Sequence, residues 1–318
     1  MTVLEPERIF AIASETCRQN FTRRSFTLDH RLCGHELFSL DRLALAAERA
    51  LSSMPGEQLF ASAGDQGTLD SNFAEMGERK SSPEIISNLS GARAWSKLSK
   101  INVFDSDYAD LLEDILADFY VISELPPESV SDASLTVFLT SPRVVTPFHI
   151  DHEANILCQI SGDAKTLCVF PPDDREVVSL GQIESFYVND INAAKYRPVI
   201  QSHGVEYVLT AGTALHIPPL AAHWAKNGDD ISISLSLSLC MHELEKRARV
   251  HQVNYHLRKI GLQPKEPGDS FFDNAKAGIL SIFSKRHPQT YNERVFSAVQ
   301  RLRSPGRFAR QALRKFAR

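Results

Sequence analysis

The chain is poor in several things, and each shortage narrows the field. It has only five cysteines, Cys17, Cys33, Cys158, Cys168 and Cys240, an odd number with no C-x-x-C pair among them. A disulfide framework and a structural zinc knuckle are therefore not expected. Cys158 and Cys168 lie in apolar runs and read as small buried hydrophobes. No apolar run approaches the roughly 20 residues that span a bilayer, so no transmembrane segment is expected. The stretch MTVLEPERIFAIASETCRQN lacks a basic start followed by an apolar core and does not read as a secretory signal. A reducing, cytoplasmic setting is the expectation these shortages share. An excess of basic charge is also missing. The formal net charge is −4 over 318 residues, with 23% charged, which argues against nucleic acid as the default partner. No internal repeat or low-complexity tract is present.

What is present is a chain with 43% hydrophobic residues, enough for one large core with helical additions or for two small domains. Its pattern changes twice. Residues 1–132 read as a mostly helical region packing on the core. Residues 40–51 (LDRLALAAERAL) form one amphipathic stretch, with Asp41 supporting its start. Residues 107–119 (DYADLLEDILADF) form another, with Leu111, Leu112, Ile115 and Leu116 on one side. Between them, residues 61–83 are rich in Gly, Ser and charge and read as a loop, a candidate mobile lid. Residues 133–241 carry short β-rich runs bounded by Pro, Gly and Asp: LTVFL, TLCVF and, at 231–239, ISISLSLSL. The strict alternation of the last predicts a half-exposed strand with one face toward a core or cavity. Many short strands at this spacing predict an all-β core with helical additions, a double-sheet jelly roll of the double-stranded β-helix kind. Residues 242–318 return to helical spacing and end in a basic segment, from about residue 284, in which Glu293 is the one acidic residue.

The most informative stretch is Thr146-Pro-Phe-His149-Ile-Asp151-His152-Glu153-Ala-Asn155. In a strand, residues two apart share a face, so His149 and Asp151 present an imidazole and a carboxylate side by side. His223 follows some seventy residues later, after the turn Ile217-Pro218-Pro219. Two histidines and one carboxylate cap one face of an octahedral metal and leave positions open, the set that suits non-haem Fe(II) oxygenases. An isolated H-x-D is common. Its position between strand-like runs, with a second His after a strand and a Pro-Pro turn, is what gives it weight.

The segment from about residue 135 to 239 resembles the jumonji C-terminal catalytic domain, a cupin-like fold. The resemblance is to the branch near the asparaginyl hydroxylase that inhibits hypoxia-inducible factor. Thr146, His149, Asp151, Asn155, Gln159, Gly162, Lys165 and Phe170-Pro171-Pro172 stand in that branch's order. Gly212 to Pro218 and the distal His223-Trp224 follow. There are departures. Thr213 replaces an acidic residue, Ala221-Ala222 replace an aromatic pair, and one extra residue separates Gly162 from Lys165. The asparagine of the last core strand aligns with Ser236.

The resemblance implies an Fe(II)- and 2-oxoglutarate-dependent dioxygenase that uses O2 to hydroxylate a C–H bond. Its metal would be held by His149, Asp151 and His223. The co-substrate would meet Lys165, Thr146 and Asn155; without the family, Lys165 reads as an exposed lysine at a strand start. Gln159, Glu153, Trp224 and Ser236 are assigned to the surrounding shell or the substrate. Asn155 and Gln159 either bond 2-oxoglutarate or substrate or satisfy buried backbone groups. His152 reads as packing, and His216 is a second candidate for the distal ligand, ranked below His223. A protein or peptide side chain is the expected substrate. The alternatives are a small-molecule (natural-product) hydroxylase and an inactive cupin-fold binding protein. A homodimer through the C-terminal helices is a further expectation. The basic tail would contact an acidic partner, RNA or an anionic membrane surface, or be a solvated helix.

Overall fold

The computed structural model describes residues 8–53, 59–63, 68–71, 86, 89, 94–268, 271–285 and 291–303. Its strands are β1 (Phe10–Ala11), β2 (Phe26–His30), β3 (Leu59–Ala63), β4 (Ala94–Leu98), β5 (Val130–Thr140) and β6 (Val145–His149). They continue with β7 (Ala154–Ser161), β8 (Lys165–Val169), β9 (Val205–Leu209), β10 (Thr213–Ile217), β11 (His223–Lys226) and β12 (Ser232–Met241). They form an eight-stranded sheet, β1-β2-β10-β7-β12-β5-β4-β3, and a four-stranded sheet, β6-β11-β8-β9. From β5 to β12 the chain passes back and forth between the two sheets, so β10-β7-β12-β5 and β6-β11-β8-β9 make the jelly roll expected from the strand spacing.

The N-terminal strands are what the spacing argument missed. β1 and β2 extend the large sheet past β10, and β3 and β4 extend it past β5. Residues 61–63, read as the start of a loop, lie in β3. Residues 68–71 form a turn, with the Ser71 N–H on the Thr68 carbonyl at 3.1 Å, and residues 64–67 and 72–83 lie outside the described residues. The helical expectations for this region hold at α2 (Leu40–Ser53) and α4 (Ser106–Ser123), which follow the short α1 (Ser14–Asn20) and α3 (Ile101–Phe104) respectively. α2 buries Leu43, Ala46, Ala47 and Ala50, a stripe at helical spacing. The Ser39 hydroxyl accepts from the Arg42 N–H at its start. α4 is capped by Asp105, whose carboxylate also takes Arg42 at 2.6 Å and Arg49 at 2.8 Å. Burial opposes that charge, but the two guanidiniums outweigh it and hold the carboxyl below its ordinary range.

By contacts the chain divides into two compact units. One runs to Val177 and resumes over Lys195–Leu239. The other is Val178–Ala194 with Cys240–Arg318. The boundary read near residue 132 therefore falls inside the first unit, and 178–194, read as part of the β core, clusters with the C-terminal residues. The second unit is helical, with α5 (Leu180–Tyr187), α6 (His242–Lys259), α7 (Asp273–Phe283) and α8 (Tyr291–Arg303). A capping box of Ser179 and Gln182 starts α5. The Gln252 amide on α6 donates to the carbonyls of Tyr187 and Val295, and Arg258 grips buried Glu184 at 2.8 and 2.9 Å. Among the described residues no helix is long and apolar enough to cross a membrane.

Inside the jelly roll, alternation decides which residues meet. The β10 residues Leu215 and Ile217 pack with Leu167, Val169, Leu209 and Ala221, and Leu157, Tyr207 and Ala225 join them. On β12 every residue from Ser232 to Leu237 is buried, so the strand is covered on both faces and not half-exposed. Its serines share a side with Asn155, Leu157 and Gln159 of β7: Ser234 opposes Gln159, Ser236 opposes Leu157 and Ser238 opposes Asn155. The tight turn from β7 to β8 passes through Gly162 at φ +102°. A Cβ there would stand 2.3 Å from the Ile231 carbonyl oxygen, so only glycine fits.

Candidate metal centre

His149 ends β6 and His223 begins β11, and the register sets them directly opposite one another. Their rings lie 4.1 Å apart between centroids. Between this pair and the next, Thr146 opposite Ala225, β6 has one residue more than β11. That bulge lets Thr146 and His149, three residues apart, face the same side. Thr146 is half-buried on that inner side.

Asp151 reaches the histidines differently from the strand argument. It lies beyond the end of β6, in the connection to β7. Its backbone carbonyl accepts from the Leu220 N–H at 2.7 Å. Leu220 adopts φ +63°, a conformation that a branched side chain rarely takes, in the turn that delivers His223. The Phe170 N–H bonds the Ala222 carbonyl at 2.9 Å and fixes the same turn to the end of β8. Two segments distant in sequence are thus clipped together where the three side chains converge.

The candidate ligand atoms of His149, Asp151 and His223 lie within 4.8 Å of one another. Asp151 Oδ2 is 3.9 Å from His149 Nε2 and 3.8 Å from His223 Nε2. An ion about 2.1 Å from each atom fits between them. The Nδ1 atoms point away, to the Pro147 carbonyl at 2.8 Å and the Ala221 carbonyl at 3.0 Å. A carbonyl accepts, so each Nδ1 carries the proton and each Nε2 offers its lone pair inward. Burial, with the neighbouring His149 charge, lowers the His223 pKa to about 4. Burial works against ionisation of Asp151, yet the charges of His149, His223, Lys97 and His152 prevail and hold its carboxyl below the usual range. A neutral His223 and an ionised Asp151 at neutral pH are protonation states that a divalent cation needs.

Behind the ligands runs a directed hydrogen-bond chain. Asn155 Nδ2 donates to Asp151 Oδ2 at 3.1 Å, and the Ser238 hydroxyl donates to Asn155 Oδ1 at 2.7 Å, which fixes the amide's orientation. Farther in, the Lys165 ammonium bonds the Ser234 hydroxyl. A lysine only donates, so Ser234 accepts and passes its own proton to Gln159 Oε1 at 2.8 Å. Gln159 Nε2 then serves Ser232 Oγ at 3.0 Å and the Ser161 carbonyl at 2.8 Å. Lys165 is 5% exposed, and among the described residues no carboxylate lies within ion-pair reach. Burial brings its pKa down to about 7. A buried ammonium with one hydroxyl partner and donors to spare is a site for an anion.

The remaining candidates take other places. Gln159 and Ser236 are buried on the inner side of the large sheet. Glu153 lies outside β7 with its carboxylate 3.1 Å from His152 Nε2. Trp224 follows His223 on the same strand and therefore faces the opposite way; its indole donates to Gln201 Oε1 at 3.3 Å, so it does not line the site. His216 does not compete with His223. It is fully buried on the far side of β10 between the Phe21 and Phe26 rings, and it bonds the Asn155 carbonyl and the Thr22 N–H. Burial takes its pKa to about 3. Sequence reasoning missed Ser234 and Ser238. The alternating serines were visible, and counting alternate positions across from Gln159 and Asn155 would have found both.

A jelly roll holding two histidines and an aspartate at its mouth, with a lysine buried behind them, defines a cupin-type metal-binding protein. A family model described as "Cupin-like domain" matches residues 40–237, and the chain belongs to that family, which agrees with the resemblance read from its motifs. Two fungal proteins, each named "tRNA wybutosine-synthesizing protein 4", align with part of it. The one from Aspergillus oryzae is 32% identical over 121 residues, 35% of this chain and 11% of the relative. The one from Neurospora crassa is 31% identical over 146 residues, 42% of this chain and 11% of the relative. The chain thus spans about a tenth of the length of these curated relatives. Among solved structures, a ribosomal oxygenase from Escherichia coli, YcfD, in complex with cobalt and 2-oxoglutarate, aligns at 13% identity with a TM-score of 0.46. That alignment covers 94% of this chain and 66% of that one.

Proposed function

We propose that this chain is an Fe(II)- and 2-oxoglutarate-dependent oxygenase that hydroxylates a C–H bond of a protein or peptide side chain. The observation that carries the reading is the pairing of a three-ligand metal set with a buried, carboxylate-free lysine on the inner wall of the same jelly roll. His149, Asp151 and His223 would hold the metal, and the donor set fits Fe(II) with positions left open for co-substrate and O2. When bound, the ion would let O2 oxidise 2-oxoglutarate to succinate and CO2, with the second oxygen atom available to hydroxylate the C–H bond.

The rest is what the chain's residues do. Asn155 and Ser238 keep the Asp151 carboxylate turned toward the two imidazoles. The Pro147 and Ala221 carbonyls hold both rings in one tautomer. Lys165 receives the distal carboxylate of the co-substrate, and Thr146, on the same inner side, is placed to add a hydroxyl. The Ser234-Gln159 chain keeps the ammonium from rotating away. The apolar side of the interior, Leu157, Leu167, Val169, Leu215 and Ile217, excludes water from that carboxylate and so strengthens the contact. A peptide substrate would enter where Asp151 and His149 retain 37% and 18% of their side-chain exposure. A homodimer through the C-terminal helices belongs to the same proposal, since Phe271, Ile279 and Ile282 are 94%, 56% and 77% exposed; sedimentation at rising concentration tests it.

The decisive experiment is an anaerobic titration with Fe(II) and 2-oxoglutarate, watching for the visible metal-to-ligand charge-transfer band. The band is expected in the wild type and absent in Asp151→Ala. Its absence in the wild type would reduce the protein to a cupin-fold binding module.

A further inference from the structure

Lys165 opens β8 with its side chain on the inner side of the roll, the side that Leu167 and Val169 share. It is buried, and its hydrogen-bond partner is the Ser234 hydroxyl of β12. Few of the groups on that side can carry a charge. β12 presents its serines, and β7 presents Asn155, Leu157 and Gln159. β9 presents Tyr207 and Leu209, and β11 presents His223 and Ala225. Thr146 and His149 of β6 complete the side, with Asp151 past its end. Glu206 and Lys226 occupy the outward positions of their strands. Asp163, in the exposed turn before β8, accepts from the Ala164 and Asp229 N–H groups. Among the described residues no carboxylate lies within ion-pair reach of the Lys165 ammonium.

Burial without a counter-charge favours the neutral amine, and the neighbours accept either form. As an ammonium, Lys165 donates to Ser234, which donates on to Gln159 Oε1. As an amine, it carries a lone pair toward which the Ser234 hydroxyl can turn, and Gln159 Oε1 then keeps the Ser232 hydroxyl at 3.5 Å. Neither form leaves Ser234 or Gln159 without a partner. A carboxylate arriving at Nζ breaks that balance, because it favours the charged form alone. Resting on the oxygenase reading above, we propose that Lys165 takes up a proton from solvent as it receives the distal carboxylate of 2-oxoglutarate, so that co-substrate binding is coupled to pH. Burial brings the pKa of the free amine from 10.5 to about 7, and the carboxylate moves it back toward its ordinary value. Below the lower limit the ammonium already exists and affinity is flat with pH. Between the two limits each binding event consumes one proton, and affinity falls about tenfold per pH unit.

The test is titration calorimetry on the full chain loaded anaerobically with Fe(II), at about pH 8.5, inside the window where uptake is expected. Two buffers of different ionisation enthalpy are used, and the difference in observed heat gives the protons taken up per 2-oxoglutarate bound. About one is expected in the wild type. 2-Oxopentanoate has the same chain length and chelating end but no distal carboxylate; it should take up none, which cancels any proton owed to the metal and its waters. Lys165→Arg, a cation throughout, should bind 2-oxoglutarate without uptake. Its affinity should stay level from about pH 7.5 to about pH 9, where that of the wild type weakens more than about tenfold. Uptake near zero in the wild type, equal uptake with 2-oxopentanoate, or uptake that survives in Lys165→Arg overturns the proposal. Where one control binds too weakly to read, the other decides. If neither acid gives heat or a charge-transfer band, the oxygenase reading fails and takes this inference with it. A normal band without proton uptake sinks the coupling alone.

Discussion

The interior of the jelly roll is lined by two sets of side chains of opposite character, an apolar wall and a polar wall that interleave along β7 and β8. Leu157, Leu167, Val169, Leu215 and Ile217 make one, closely packed and without a polar side-chain atom. Asn155, Gln159, Lys165, Ser234 and Ser238 make the other, in two hydrogen-bonded groups, one running from Ser238 through Asn155 to Asp151 and the other from the Lys165 ammonium through Ser234 to Gln159. The apolar wall stabilises the fold; the polar wall costs stability, because a buried ammonium without a counterion is held at the expense of its hydration. A fold keeps such a wall for what binds there.

That division of labour is open to attack from both sides. The largest effect is expected at the outer end of the polar wall. Asp151→Ala should lower Fe(II)-dependent release of succinate from 2-oxoglutarate by more than about a hundredfold, beyond what loss of an outer partner produces, and succinate quantification reads it directly. On the apolar wall, Leu215→Ala should destabilise by roughly 2–5 kcal/mol in urea unfolding, while the folded fraction keeps its charge-transfer band. Loss of the band with unchanged stability would erase the distinction between the walls. Lys165→Met should do the reverse, stabilising the metal-free protein by on the order of a few kcal/mol while the 2-oxoglutarate requirement rises steeply.

The sign of that gain depends on pH. The Lys165 pKa falls from 10.5 in the ordinary state to about 7 in the fold. Between those values the unfolded chain holds a proton that the folded chain has released. Wild-type stability therefore rises with pH across this window, is complete above it and is lost as pH falls toward 7. The advantage of the methionine variant should shrink accordingly as thermal melts are taken from the lower to the higher limit; a constant gap would mean that the ammonium is not buried as described. The smallest effect belongs to a residue on neither wall. Trp224→Phe removes one hydrogen bond to Gln201, worth about 0.5–1.5 kcal/mol, and should leave 2-oxoglutarate turnover as it was.

Much of this was legible in the sequence, though not always for the stated reason. His149, Asp151 and His223 were readable as a set because residue type and order restrict the chemistry so strongly. Their meeting, however, does not come from strand alternation. Asp151 is off the strand, held by the Leu220 N–H, a contact between distant segments that local spacing cannot encode. Trp224 was legible and misplaced. Its neighbour His223 points inward, and adjacent strand residues point to opposite sides. β1 to β4 were missed because short strands at sheet edges are specified by the partners they pair with more than by their own pattern. The serines of β12 were seen as a strand signal, but their role depends on which β7 residues stand opposite, and register is a property of the pair.

The extra residue in β6 has a consequence for how this pocket tolerates change. Removing either Pro147 or Phe148 would leave Thr146 and His149 two residues apart, matching Ala225 and His223 across the pair, and both would face the interior without a bulge. At the natural length the reverse holds: a flat, evenly paired β6 would turn one of the two outward. The pocket therefore depends on the kink itself, and a change that straightened this strand would disturb it more than the loss of a residue from it.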